Sequence, residues 1–140
     1  IVAVLIILVI GGYAGFKKGN DMINIKKDTY VQVKEAAFWM KEHSNKNDIL
    51  FSISYTQNTY YSDRETFSYS ELNESQFTRK LKELKPKFVT VSVFEQHPQY
   101  AYEYQQKNPD KLKVANAYLQ DKNPLLIIYE VNYSAIGKIS

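Results

Sequence analysis

The chain has 140 residues, 18 Lys and Arg against 15 Asp and Glu, a formal net charge of +3, and no cysteine. That length holds one domain, and roughly 110 residues after the first ~25 are enough to bury a single core. The missing thiols exclude a disulfide framework and a thiolate metal site, and a mild, scattered positive charge without a basic block argues against a surface that tracks nucleic-acid phosphates. Glycine occurs only at Gly11, Gly12, Gly15, Gly19 and Gly137. A backbone that wraps a phosphate needs glycine, so a P-loop or a dinucleotide fingerprint is excluded between them. Tyrosine is abundant, 12 residues, and suits half-exposed grooves because its ring buries while its hydroxyl stays wet.

Residues 1–16 carry no charge. As a helix this run spans only ~24 Å, short of a ~30 Å hydrocarbon core, so it is expected to be the C-terminal part of a transmembrane helix continued upstream. Tyr13, Phe16, Lys17 and Lys18 fit the aromatic and basic belt of a membrane interface. A signal-peptide core is the competing reading, but residues 15–18 make a poor cleavage site. Residues 19–28 form a polar connector, whose Asp28 (or the following Thr29) caps the next helix. Tyr30, Val33, Ala36, Ala37 and Met40 make a helical stripe widened by Trp39, and the polar run 44–48 breaks the helix.

Residues 49–54 are expected to be a strand buried on both faces. A tyrosine-rich connection at 55–64, with room for one helical turn, leads to a short strand at 65–69. Asn73 and Gln76 form a capping box for a helix carrying Phe77, Leu81 and Leu84, which Pro86 ends. A second good strand is expected at 88–93. His97 and Pro98 open a helix with Ala101 and Tyr104 inward, closed by Asn108 and Pro109. Strands at 113–119 and 125–131, joined by about five residues, are expected to pair as an antiparallel hairpin. This order predicts an α/β fold: a three-layer Rossmann-like sandwich with a partly parallel sheet and a C-terminal antiparallel hairpin. The expected organisation is a membrane helix end at 1–18, a connector at 19–28, the α/β domain at 29–134 and a tail at 135–140.

Open α/β sheets bind ligands beyond the carboxyl ends of their strands. One connection there offers Tyr55, Gln57, Asn58, Tyr60, Tyr61 and Arg64; the other offers Glu95, Gln96, His97, Gln99 and Tyr100. Rings that cover sugar C–H groups, beside amides and acids that bind hydroxyls, point to a carbohydrate ligand. The competing reading is that the tyrosines cap the sheet and satisfy loop backbone. Glu95 and His97 alone do not make a metal site, which needs three or four ligands. No serine has a nucleophile-elbow context; Ser92, Glu95 and His97 have no triad spacing, and Glu95 with Glu103 has no defined separation for glycoside cleavage. No catalytic residue is expected in this chain. The sequons at Asn73 and Asn132 matter only if the domain faces outside.

A family resemblance rests on several of these residues. Ala36, Ala37, Trp39, Met40, Lys41 and Glu42, then Asp48 and its strand, then Tyr60, Tyr61, Ser62, Arg64 and Thr66, resemble the start of the domain after the last membrane helix in GT-C-type polytopic glycosyltransferases. These are similar to dolichyl-phosphate-mannose protein mannosyltransferases and aminoarabinose transferases. The strand at 88–93 with Glu95, His97, Pro98, Tyr102, Glu103 and Tyr104, and the closing hairpin, resemble the later part, so the likeness covers roughly 28–132. The resemblance implies a parent enzyme that uses a polyprenyl-phosphate-linked sugar and a divalent metal. It implies catalytic acids in an early external loop, a membrane location and an extracytoplasmic domain. Lys17, Lys18, Lys26 and Lys27 pull toward the cytoplasm by the positive-inside rule; the family's extracytoplasmic side is the expectation adopted. Implied partners are the bilayer, the membrane-embedded part of the parent, and a glycan or acceptor. The alternative from another class is a membrane-anchored extracytoplasmic ligand-binding or sensor module. An isolated hydrolase is a third reading.

Overall fold

The computed structural model describes residues 31–120 and 122–137. The membrane helix expected at 1–18 and the connector at 19–28 lie outside the described residues. Among the described residues, no helix is long and apolar enough to cross a membrane.

The stripe of Val33, Ala36, Ala37 and Met40 is the buried face of the first helix, α1, described over 31–42. Trp39 does widen that face: its ring packs on Phe88 with centroids 5.4 Å apart. After α1 come β1 (Leu50–Phe51), α2 (Tyr55–Ser62), β2 (Thr66–Phe67), α3 (Glu74–Leu84) and β3 (Phe88–Ser92). Then follow α4 (Gln99–Lys107), β4 (Leu112–Gln120), β5 (Asn123–Val131) and α5 (Tyr133–Ile136). The described residues thus form a mixed α/β fold with five helices and one five-stranded sheet, in the order β2-β1-β3-β5-β4. β1 lies between β2 and β3 and is parallel to both. β5 runs antiparallel to β3 and to β4, so the expected hairpin is present and joins the sheet through its second strand.

Side chains that alternate along the strands divide the core. Phe51, Val89, Val91, Tyr129 and Val131 join Phe77 and Leu81 of α3 and Ala101 and Tyr104 of α4 in one apolar cluster. Leu50, Phe88, Leu126 and Ile128 join Val33, Ala36 and Met40 of α1 in another. The period of two does this: neighbouring residues of one strand face opposite sides. Phe77 is the hub of the first cluster, stacked on Phe51 at 5.2 Å and edge-on to Tyr69 and Tyr104. Its helix is held by the anticipated capping box, Asn73 accepting from the Gln76 N–H and the Gln76 side chain accepting from the Asn73 N–H.

Two elements differ from the sequence expectation. The strand expected at 49–54 pairs only at Leu50–Phe51, because the chain bends at Ile53 and Ser54 into α2. Ser52 still donates its N–H to Phe67 O, while its side chain enters a buried polar cluster. The single turn expected after it is a helix of eight residues. No apolar periodicity announces α2 because its buried stripe is polar, with Asn58 and Ser62 four residues apart. The helix ends at Asp63, whose φ of 55° is left-handed. At the other terminus, Ile136 of α5 is buried in the first apolar cluster and the Tyr133 hydroxyl donates to Pro86 O, so packing continues into the segment expected as a tail.

Arg64 ties the ends of α1 and α2 together. Its Nε donates to Ser44 Oγ, one terminal nitrogen to Ser62 O and Asp63 O, and the other to Lys41 O and Ser44 O. All five N–H groups of the guanidinium are therefore engaged within the domain. Replacing it with a chain of similar length leaves several carbonyls at two helix ends without donors. Arg64→Met is expected to destabilise the domain by about 3 kcal/mol. Arg64→Lys is expected to recover only part of that, because one ammonium cannot reproduce the planar fork. Thermal unfolding followed by near-UV circular dichroism checks both; a melting temperature unchanged in Arg64→Met contradicts the role.

Candidate functional site

β1, β2 and β3 are parallel, so their carboxyl ends share one edge of the sheet. The residues just inside that edge are polar and buried. Thr90 Oγ1 and Asn58 Nδ2 both donate to Ser52 Oγ, at 2.6 and 2.7 Å. The Tyr69 hydroxyl donates to Thr90 O at 2.5 Å and lies 2.9 Å from His97 Nδ1. The Ser92 N–H donates to His97 Nε2 at 3.1 Å. Nε2 is thus an acceptor, which puts the ring proton on Nδ1, donated to Tyr69. The His97 side chain is 1% exposed. Burial lowers its pKa from the ordinary 6.5 to about 4, and the ring is neutral. Burial also raises the Tyr69 hydroxyl far above its usual range, with Glu95 adding to the effect.

Glu95 sits above this floor. Its carboxylate accepts from the Ser54 hydroxyl and, at 3.4 Å, from Ser92 Oγ. It lies 3.9 Å from His97 Nε2, which in turn is 3.4 Å from Ser92 Oγ. Ser92, Glu95 and His97 therefore do meet in space, although nothing in their spacing indicated it. Their geometry is not that of a nucleophile, a base and an orienting acid. The base nitrogen is already occupied by a backbone N–H, the far nitrogen meets a phenol, and the ring is closed off from solvent. The cluster fixes the loop that leaves β3.

Outside it lies a cleft of about 580 Å³. Ser70, Glu71, Asn73 and Glu74 line it from the β2–α3 connection, and Gln96, His97 and Tyr100 from the β3–α4 connection, with Leu72 and Pro98 as apolar parts. The Tyr100 ring packs on Phe77, and its hydroxyl is buried with no hydrogen-bond partner among the described residues. Burial, reinforced by Glu74, pushes that hydroxyl up to about 12. Among the described residues, no group of three or more His, Asp or Glu is placed to hold a metal ion.

No family model, no curated protein and no solved structure matches the chain.

The residues singled out from sequence fall into three places. Glu95, His97 and Tyr100 are together at the carboxyl edge, with Gln96 beside them. Asn58 and Arg64 are buried in the scaffold. Tyr61 meets the edge of Phe38 of α1 at 5.8 Å, Tyr60 packs edge-on to Tyr61 and is otherwise exposed, and Tyr55 and Gln57 lie on α2; none of the four lines the cleft. Sequence reasoning missed Ser54, Tyr69, Glu71 and Glu74. The signal was available: β2 is the third parallel strand, so the connection leaving it reaches the same edge.

His97 gives a pH dependence of defined sign. Its folded pKa is below the unfolded value, so the unfolded chain takes up the proton first as pH falls. Its contribution to stability is complete above pH 6.5, is lost progressively from there down to about 4, and is gone below. His97→Gln is expected to flatten that part of the stability–pH curve while lowering stability at neutral pH. Urea midpoints across the interval measure it, and an unchanged slope in the variant contradicts the assignment.

Proposed function

We propose that this chain is the C-terminal extracytoplasmic part of a membrane glycosyltransferase of the GT-C type, and that its domain helps to position an acceptor or glycan without making bonds itself. In this reading residues 1–18 end the last membrane helix, and the α/β domain is a three-layer Rossmann-like sandwich above the membrane. The polyprenyl-phosphate-linked sugar, any divalent metal and the catalytic acids belong to the membrane-embedded part of the parent. Among the described residues, no group of three or more His, Asp or Glu could hold a metal ion.

The observation that carries the reading is the cleft at the carboxyl edge of the parallel strands. It combines the carboxylates of Glu71 and Glu74, the Gln96 amide and the Ser70 hydroxyl with the Tyr100 ring and the apolar surface of Leu72 and Pro98. Hydroxyl-rich ligands need that mixture: acceptors and donors for each hydroxyl, and an apolar surface for the C–H face. The loops that bear these groups stand on a rigid floor, since His97, Tyr69 and Thr90 lock them to the sheet. A membrane-anchored binding module without an enzyme would use the same cleft, and the parent's kinetics separate the two.

The test is the double variant Glu71→Gln with Gln96→Ala in the full-length parent. A positioning role predicts about a tenfold rise in acceptor KM, equivalent to ~1.4 kcal/mol, with kcat little changed. In the chain reconstituted in lipid nanodiscs, manno-oligosaccharides are expected to shift the backbone amides of Glu71, Gln96 and Tyr100. Unchanged kinetics together with silent amides would sink the proposal.

A further inference from the structure

We propose that a face formed by Lys34 and Phe38 of α1 with Tyr60 and Tyr61 of α2 rests on the bilayer interface and sets how the domain stands on the membrane. The proposal depends on reading residues 1–18 as a membrane helix. The face is distinct from the cleft and shares no residue with it.

Three observations build it. Phe38 is 42% and Tyr60 79% exposed, although the opposite face of α1 is fully used in the core. The rings are organised in advance: Phe38 and Tyr61 meet edge-on at 5.8 Å, and Tyr60 and Tyr61 at 5.0 Å. Lys34 Nζ stands 5.8 Å from the centre of Phe38 and 5.5 Å from that of Tyr61.

The chemistry selects lipid over sugar as the occupant. A stacked sugar needs a free ring face, and the Lys34 ammonium stands over the rings of both Phe38 and Tyr61. An interface needs something else: amphipathic rings whose rims reach the acyl boundary, with hydroxyls and an ammonium at the level of the phosphates. Tyr60, Tyr61, Phe38 and Lys34 are that set. The connection to the apolar run is short. Residues 19–30 reach at most roughly 40 Å when fully extended, so the face is held at high effective concentration near the membrane and a weak affinity suffices.

Spin labelling tests it, and the chain has no cysteine to interfere. Tyr60→Cys and, as a control on the exposed edge strand β4, Val114→Cys are each labelled with a nitroxide in the whole chain. Both are reconstituted into phosphatidylcholine–phosphatidylglycerol vesicles, with folding checked by near-UV circular dichroism. The label at 60 is expected to collide with oxygen, which concentrates in lipid, several-fold more often relative to a water-soluble nickel chelate than the label at 114. Equal ratios at the two positions, in a chain that survives an alkaline carbonate wash of the vesicles, overturn this proposal and leave the membrane reading intact. A label at 60 shielded from both reagents means that protein covers the face, either the chain's own apolar run or a second copy, and also overturns it. A chain washed out of the vesicles overturns both the proposal and the membrane reading beneath it.

Discussion

The structure depends on the need to satisfy polar groups buried where the three parallel strands end. Ser52, Thr90, Asn58, Tyr69 and His97 are all removed from water there. An unpaired buried donor or acceptor costs ~1–3 kcal/mol, and each of these side chains has a partner, although Asn58 Oδ1 has none among the described residues. The solution joins elements distant in sequence. Asn58 of α2 reaches Ser52 beyond β1, Thr90 of β3 reaches the same hydroxyl, and Tyr69 links Thr90 to His97. These bonds hold two long connections against the edge of the sheet, and those connections form the cleft.

The same constraint separates scaffold from surface among residues of one chemical type. Tyr69 and Tyr100 flank one loop cluster, yet Tyr69 is bonded into the floor while the Tyr100 hydroxyl is buried beside the cleft without a partner. Arg64 against the end of α1 and Lys34 on α1 are both cations, yet Arg64 spends all its donors on carbonyls and one hydroxyl within the domain, while Lys34 lies over the surface rings of Phe38 and Tyr61. Location decides the role here. A guanidinium matches several converging carbonyls at helix ends, and a single ammonium on a flexible stem suits a surface.

Much of the fold was legible in the sequence. Strong signals gave the helix with Val33, Ala36 and Met40, the capping box at Asn73, the stop at Pro86 and the closing hairpin, because each is a local device whose residues are neighbours in the chain. The weak places were those where burial is polar. α2 hides Asn58 and Ser62 instead of leucines, so its period carried no hydrophobic signal, and β1 is short because the chain bends at Ile53 and Ser54 into α2. The candidate site was half legible. The rule that ligands gather at strand carboxyl ends located Glu95, Gln96, His97 and Tyr100, but it was applied to two parallel strands when three end there.

The sequence by itself determined the mixed α/β class, the antiparallel hairpin, the absence of thiol chemistry and of glycine-rich phosphate loops, and a charge-free apolar run before the domain. Periodicity, caps and composition are local properties, and they survive without knowledge of the fold. Only the tertiary structure decided that Ser92, Glu95 and His97 meet and lock a loop, that Arg64 is scaffold, that Tyr61 packs on α1 instead of lining the cleft, and that Glu71 and Glu74 enter it. Those outcomes turn on which buried donor meets which acceptor across tens of residues, and spacing along the chain carries no record of that.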